Sequence, residues 1–314
     1  MSQVRVRPAA PADAAAIAAV HCSHVETWRR GGKGEPAAYA ELSLYDRWLH
    51  GGPWMSAEMY ASYLRRWLRA GHVVLVAQRE GAVVGEAELV ENREPNPYGP
   101  ALHLSLLFVH AACQGQGVGR ALLKAAEELA RERGCMALTT QPEQPARPFY
   151  SRVGFASWLR LREWQARARE IPLAGRLAPV PAALYPEGRG LVLRSGRYQC
   201  ARHAWHELLF YLPLPEHTRL PWGRWRVESP AGEVAWVGLR AQPLEPSQCD
   251  GYVWALPQAD LAPLVDVLQV QAARLGFNHV DLLLEEPEGK TMAAERGLEC
   301  QGELVLWRKT ISEQ

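Results

Sequence analysis

The residues best suited to chemistry lie between His103 and Phe155. Gln114-Gly115-Gln116-Gly117-Val118-Gly119 joins an apolar run, Leu102 to Val109, to an amphipathic stretch that stops at Gly134. Glycines at such a junction let the backbone approach a bulky ligand, and the free N–H groups of a helix start favour an anion, typically a phosphate. Downstream, Phe149-Tyr150-Ser151-Arg152-Val153-Gly154-Phe155 offers a phenol. His103 offers an imidazole whose ordinary pKa is about 6.5. Glu86 and Glu88 offer two carboxylates on one face of the preceding strand, which reads as an ordinary solvated face. The loop is not the GxGxxG of a dinucleotide fold, since no acidic residue stands in the ribose position, and no Gly-Lys-Ser/Thr makes it a nucleotide-triphosphate loop. Alone, its spacing favours a plain glycine-rich strand-to-helix turn.

The elements that must position these groups follow from periodicity and breakers. Leu102–Val109, the glycine loop, the helix ending at Gly134 and an apolar strand from Cys135 to Thr139 make a βαβ unit. Before it, Val4–Arg7 reads as a strand, and Asp13 as the N-cap of a helix running to about Trp28. Arg29–Pro36 reads as an exposed, mobile turn and a candidate lid, Glu41–Leu49 as a short helix. Ser56 caps a helix to about Ala70, and Val73–Gln78 and Val83–Glu91 form a hairpin about Glu80-Gly81. A last strand pair is expected over Ala156–Gln165.

Residues 171–190, rich in proline and glycine, read as a linker between a domain at 1–170 and another at 191–314. In the second, a strand at Leu191–Arg194 opens an order of elements that repeats the first, with a helix over Ala201–Tyr211. Gly154 and Gly297, and likewise Trp164 and Trp307, stand 143 positions apart, while Gly134 and Gly276 stand 142 apart. This register argues for two copies of one fold. The second copy has Pro257–Asp260 in place of the glycine loop and Ala293 in place of Tyr150.

With 314 residues, 48% of them hydrophobic, the chain can support two cores. A net charge of +1 gives no field for nucleic acid or an anionic membrane. The six cysteines are scattered without a CxxC pair, so neither a metal site nor a disulfide framework is indicated. No apolar run suits a signal peptide or a membrane span, which makes a cytoplasmic location the expectation.

The pair of motifs, Gln114-x-x-Gly117-x-Gly119 after a strand and Phe149-Tyr150-x-x-x-Gly154-Phe155 beyond the next one, resembles the GNAT superfamily of N-acyltransferases. Ala111 departs from the proline that many members carry. The resemblance covers Leu102 to Phe155 most closely, and the flanking order of elements agrees. It implies an α/β fold of the α+β type with a mixed sheet, present as two tandem GNAT folds, the second degenerate. It further implies acetyl-CoA, or a close acyl-CoA, as cosubstrate; no metal is expected, from the cysteine pattern. The backbone of Leu107, Phe108 and Val109 would pair with the pantetheine arm. Gln114, Gly115, Gln116, Gly117, Val118 and Gly119 would hold the pyrophosphate, with Arg120 adding charge. Tyr150 would be the acid for the departing thiolate. His103 is the candidate base, with Glu88 or Glu86 acting through water as alternatives. Cys113 reads as a packing residue.

The acceptor would be an amine of a small molecule or peptide, bound by the segment between the first strand and Gly71. That segment holds His21, Trp54, Tyr60 and Tyr63, residues otherwise expected in helix cores. The activity implied is direct N-acetyl transfer in a ternary complex. The competing reading is a non-catalytic acyl-CoA sensor on the same fold. The second copy, with Trp205, Trp222, Trp225, Trp236 and Trp254, would either shape the acceptor site or serve as a binding or homodimer module.

Overall fold

A computed structural model of the chain describes residues 3–180, 184–210, 222–242 and 244–312. Tyr211 of the expected helix and 181–183 of the expected linker lie outside them. The first half runs β1 (Arg5–Pro8), α1 (Ala14–Cys22), α2 (Leu44–Trp48), α3 (Ala57–Arg69), β2 (Val73–Arg79), β3 (Ala82–Asn92), β4 (Ala101–Val109), α4 (Val118–Glu132), β5 (Ala137–Thr140), α5 (Arg147–Arg152) and β6 (Ala156–Arg167). The second runs β7 (Arg176–Pro179), β8 (Val192–Ser195), α6 (Ala201–Phe210), β9 (Trp222–Glu228), β10 (Val234–Gln242), β11 (Glu245–Ala255), α7 (Ala262–Arg274), β12 (His279–Glu285), α8 (Glu288–Arg296) and β13 (Glu299–Thr310). α4 buries Val118, Leu122, Leu123, Ala126 and Ala130 on the sheet and ends where Gly134 turns left-handed at φ +63°.

All the strands join one mixed sheet, ordered β1-β2-β3-β4-β5-β13-β6-β12-β11-β10-β9-β7, with β8 beside β11. The expected hairpin over Ala156–Gln165 is absent: β6 is one long strand, and the two halves exchange their last strands. β13, which follows β12 in sequence, pairs with β5 and β6, whereas β6 pairs with β12. Trp164 and Ala166 of β6 therefore pack in the core of the second half, and Trp307 and Ile311 pack in the core of the first.

Other expectations shift locally. α1 stops at Cys22, not Trp28, because the next side chains find partners elsewhere: Ser23 Oγ accepts from Ala111 N at 3.0 Å and His24 Nε2 donates to Val109 O at 2.8 Å. Asp13 makes no side-chain cap to α1; its carboxylate takes Arg7 at 2.7 Å and Ala10 N at 2.7 Å. The Arg29–Pro36 turn is tied down by an isolated bridge between its ends and by Gly31 N donating to Asp46 Oδ1 at 2.7 Å. The stretch read as a linker contains β7, which pairs with β9 as β1 pairs with β2. β7, rather than the Leu191–Arg194 strand, is thus the counterpart of β1.

Candidate functional site

β4 and β5 pair in parallel only from Ala101↔Ala137 to Leu104↔Thr140. Beyond Leu104 the two strands part, and among the described residues Ser105–Val109 has no strand partner on the β5 side. Thr140 Oγ1 donates to Leu104 O at 2.9 Å and so marks the root of the wedge. At its mouth the chain turns through Gln114–Gly117 into α4. Gly115 and Gly117 sit at φ +70° and +84°, where a side chain is strained. Gly117 is the N-cap and supplies no side-chain acceptor, so the first N–H groups of α4 remain open to an anion. A Cβ built on Gly115 or Gly117 meets nothing within 4 Å, whereas one on Gly119 would lie 3.3 Å from the Phe149 ring.

These residues line a cavity of about 580 Å³. Its wall includes Leu107, Val109, Cys113, Gln114, Gly115, Gly117, Val118, Gly119 and Arg120, facing Ala146, Phe149 and Arg152. The guanidiniums of Arg120 and Arg152, glycine-exposed amides and an apolar throat suit a ligand with phosphates at one end and an apolar arm. Arg152 was not singled out from the sequence, although it lies inside the tyrosine motif. The Gln116 side chain points away: it accepts from Arg79 and donates to Ala112 O at 2.9 Å, bracing the loop.

Phe108 also points away from this cavity, to the other face of the sheet. There it stacks on His21, ring centroids 4.3 Å apart. Beside it, Glu86 and Glu88 are 0% and 1% exposed, which overturns their reading as a solvated face. α1 and α3 cover them and supply donors. Tyr60 Oη donates to Glu86 Oε2 at 2.8 Å, Tyr63 Oη to Glu88 Oε2 at 3.0 Å, and Trp54 Nε1 to Glu88 Oε1 at 2.8 Å. His21 Nε2 closes on Glu86 Oε1. Burial disfavours the charged forms, so the Glu88 carboxyl is pushed up to about 8, Glu86 also rises, and His21 falls.

His103 stands apart from the cavity. A register shift between Glu88 and Leu89 pairs Glu88 with Leu106 but Leu89 with Leu104. This bulge at Ser105 reverses the alternation of β4, so His103 does not share the face of Leu107 and Val109. Its Nδ1 lies 2.9 Å from Thr139 Oγ1, its Nε2 contacts Gln199 of the second half, and burial pushes it down to about 4. Tyr150 lies at the root of the wedge, packed edge-on against Phe149 and Phe155 and hydrogen-bonded with Thr140. Burial pushes its phenol up to about 12.

Among the described residues no group of three metal-ligating side chains occurs, and no helix is long and apolar enough to cross a membrane.

Residues 37–155 match the acetyltransferase (GNAT) family. A glucosamine 6-phosphate N-acetyltransferase of Trypanosoma brucei brucei is 32% identical over 90 residues, 28% of this chain and 61% of that protein. An acetyltransferase of Agrobacterium fabrum is 47% identical over 55 residues, 17% of this chain and 40% of that protein. The chain thus spans less than two thirds of the length of either relative. A solved GCN5-related N-acetyltransferase from Anabaena variabilis shares the fold at a TM-score of 0.63 and 12% identity, covering 99% of this chain and 73% of that one. Another, from Kribbella flavida, does so at 0.54 and 13%, covering 98% and 71%. At these identities the likeness is one of fold.

Proposed function

We propose, from the match of residues 37–155 to the acetyltransferase (GNAT) family, that the chain is an acetyl-CoA-dependent N-acetyltransferase acting on an amine of a small molecule or peptide. The observation that carries this reading is the wedge between β4 and β5, opening on a loop of unblocked amides. Residues 1–170 would hold the chemistry, with the second half as its support. Gln114–Gly119, with Arg120 and Arg152, hold the pyrophosphate; Leu107–Val109, unpaired on the β5 side, receives the pantetheine arm along its edge; Leu107, Val109 and Phe149 exclude water around it. Acetyl-CoA would bring the activated acyl group.

Proton movement then falls to two groups. Tyr150, raised to about 12, is a poor proton donor to a thiolate of pKa about 8.5. It serves better by hydrogen-bonding the sulfur as charge develops there. The base is assigned to Glu88 or Glu86, working through water, because both face the segment expected to hold the amine. His103, with both ring nitrogens engaged, is set aside as structural.

The test is a screen of amines with acetyl-CoA, following free thiol. A base acts deprotonated, so a carboxyl at about 8 gives a rate that climbs with pH and levels above about 8, not above its ordinary 4.5. That limb should hold its place across amines of different pKa and vanish in either Glu88→Gln or Glu86→Gln, whichever carries the base; a limb that tracks each amine's own pKa removes the carboxylates from the role. Tyr150→Phe should lower turnover roughly 100-fold with CoA affinity nearly unchanged. Tight CoA binding with no transfer to any amine would instead favour the sensor.

A further inference from the structure

The wedge of the first half has a counterpart in the second. β11 pairs with β12 in parallel over Gln248↔His279 to Gly251↔Leu282, four pairs, as β4 does with β5. Beyond Gly251 the two strands should part and leave a slot. They part, but no slot is left open, because β8 lies in it. Ser195, Leu193 and Val192 pair antiparallel with Val253, Trp254 and Ala255, and Gly196 N donates to Leu283 O of β12 at 3.1 Å, closing the other wall. At the root, Ser195 Oγ donates to Gly251 O at 2.9 Å, just as Thr140 Oγ1 donates to Leu104 O in the first half.

The far end of the slot is filled as well. The turn after β11 stands where the glycine loop stands after β4. Its carbonyls converge on one guanidinium: Arg194 Nη1 donates to Leu256 O at 3.2 Å, Pro257 O at 2.7 Å and Ala259 O at 3.1 Å, while Nη2 meets Glu288. A phosphate loop turns N–H groups inward, whereas this turn presents oxygens to a cation. Its polarity is reversed: carbonyls hold a cation where the first loop leaves N–H groups open.

We propose that β8 is a built-in occupant of the second acyl-CoA slot, with its backbone in the place of the pantetheine arm and Arg194 at the pyrophosphate position, so that each chain binds one acyl-CoA. This rests on the acyl-CoA reading of the first half. It goes beyond the missing glycine loop, since a half that lacked only the loop would still present an open slot.

Calorimetric titration of the full chain with CoA tests it. One site per chain is expected, falling to none in Gly117→Glu, where a carboxylate replaces the space a phosphate would take. Two sites in the native chain, or one remaining in Gly117→Glu, would overturn the proposal. No binding at all in the native chain would overturn the reading of the first half and leave a closed second half supported. Hydrogen exchange adds an independent arm. The amides of Val192–Ser195 should stay equally protected with and without saturating CoA, and faster exchange there with CoA would show a displaceable strand and sink the permanent plug.

Discussion

Cut in the proline-rich stretch and produced separately, residues 1–170 and 171–314 should each fail to unfold cooperatively, and the first piece should lose CoA binding. The reason is the strand exchange. Without β13, the first piece exposes the edge of β5 and strands β6 with neither neighbour. It also loses Trp307 and Ile311 from the core beneath α4 and α5. Without β6, the second piece loses Trp164 and Ala166 from its own core. Removing one large buried side chain costs about 3–5 kcal/mol, so deleting a whole core strand approaches the roughly 5–15 kcal/mol that holds a typical domain. Bare strand edges add a route to aggregation. Co-expression of the two pieces should restore a soluble complex with CoA affinity, because the sheet can then reassemble. Deleting residues 299–314 alone should have nearly the effect of the cut. A monomeric 1–170 that melts cooperatively and binds CoA like the full chain would refute the exchange.

The exchange could not be read from sequence, for a physical reason. β6 and β13 carry matched patterns, with Trp164 and Trp307 at the same offset as Gly154 and Gly297. Each strand fits either slot, and periodicity names the slots but not their occupants. What was legible was local: the glycine loop, the apolar run before it, and α4 follow from residue types within about fifteen positions. Burial of Glu86 and Glu88 was not legible, because the groups that satisfy them, Trp54, Tyr60, Tyr63 and His21, arrive from α1, α3 and the turn between, at least twenty residues away in sequence. His103 is misplaced by one residue: the bulge at Ser105 takes it off the face of Leu107 and Val109, Thr139 and Gln199 engage its two ring nitrogens there, and nothing in HLSLL announces a bulge. LVLRS of β8 is more apolar than RLAP of β7 and so reads as the opening strand, yet that apolar character is what suits it to lie between two strands.

The contact that sets β8 in place should prove among the costliest to remove. Glu94, in the loop after β3, is buried and faces the second half. Its carboxylate accepts from Arg197 Nη1 at 3.0 Å and Nη2 at 2.6 Å, from Leu193 N of β8 at 2.9 Å, and from Ala201 N at the start of α6 at 3.1 Å. One side chain therefore neutralises a buried guanidinium, which also stacks 3.9 Å over the Tyr98 ring, and caps a helix of the other half. Glu94→Ala leaves that buried guanidinium with only the Glu285 carboxylate, 3.5 Å from its Nε, and leaves two amides without their acceptor. The expected loss is about 3–5 kcal/mol, read as a fall in melting temperature of roughly 5–10 °C for a chain of this size. Glu94→Gln keeps an acceptor but not the charge and should lose less. In Glu94→Leu/Arg197→Met no charge is left buried, so much of the loss should return, since apolar pairs of similar volume often replace buried ion pairs at little cost. The cycle should give a coupling above about 2 kcal/mol. A coupling under about 1 kcal/mol, the range of exposed pairs, would show that the halves are held by apolar packing and that Glu94 does not anchor β8.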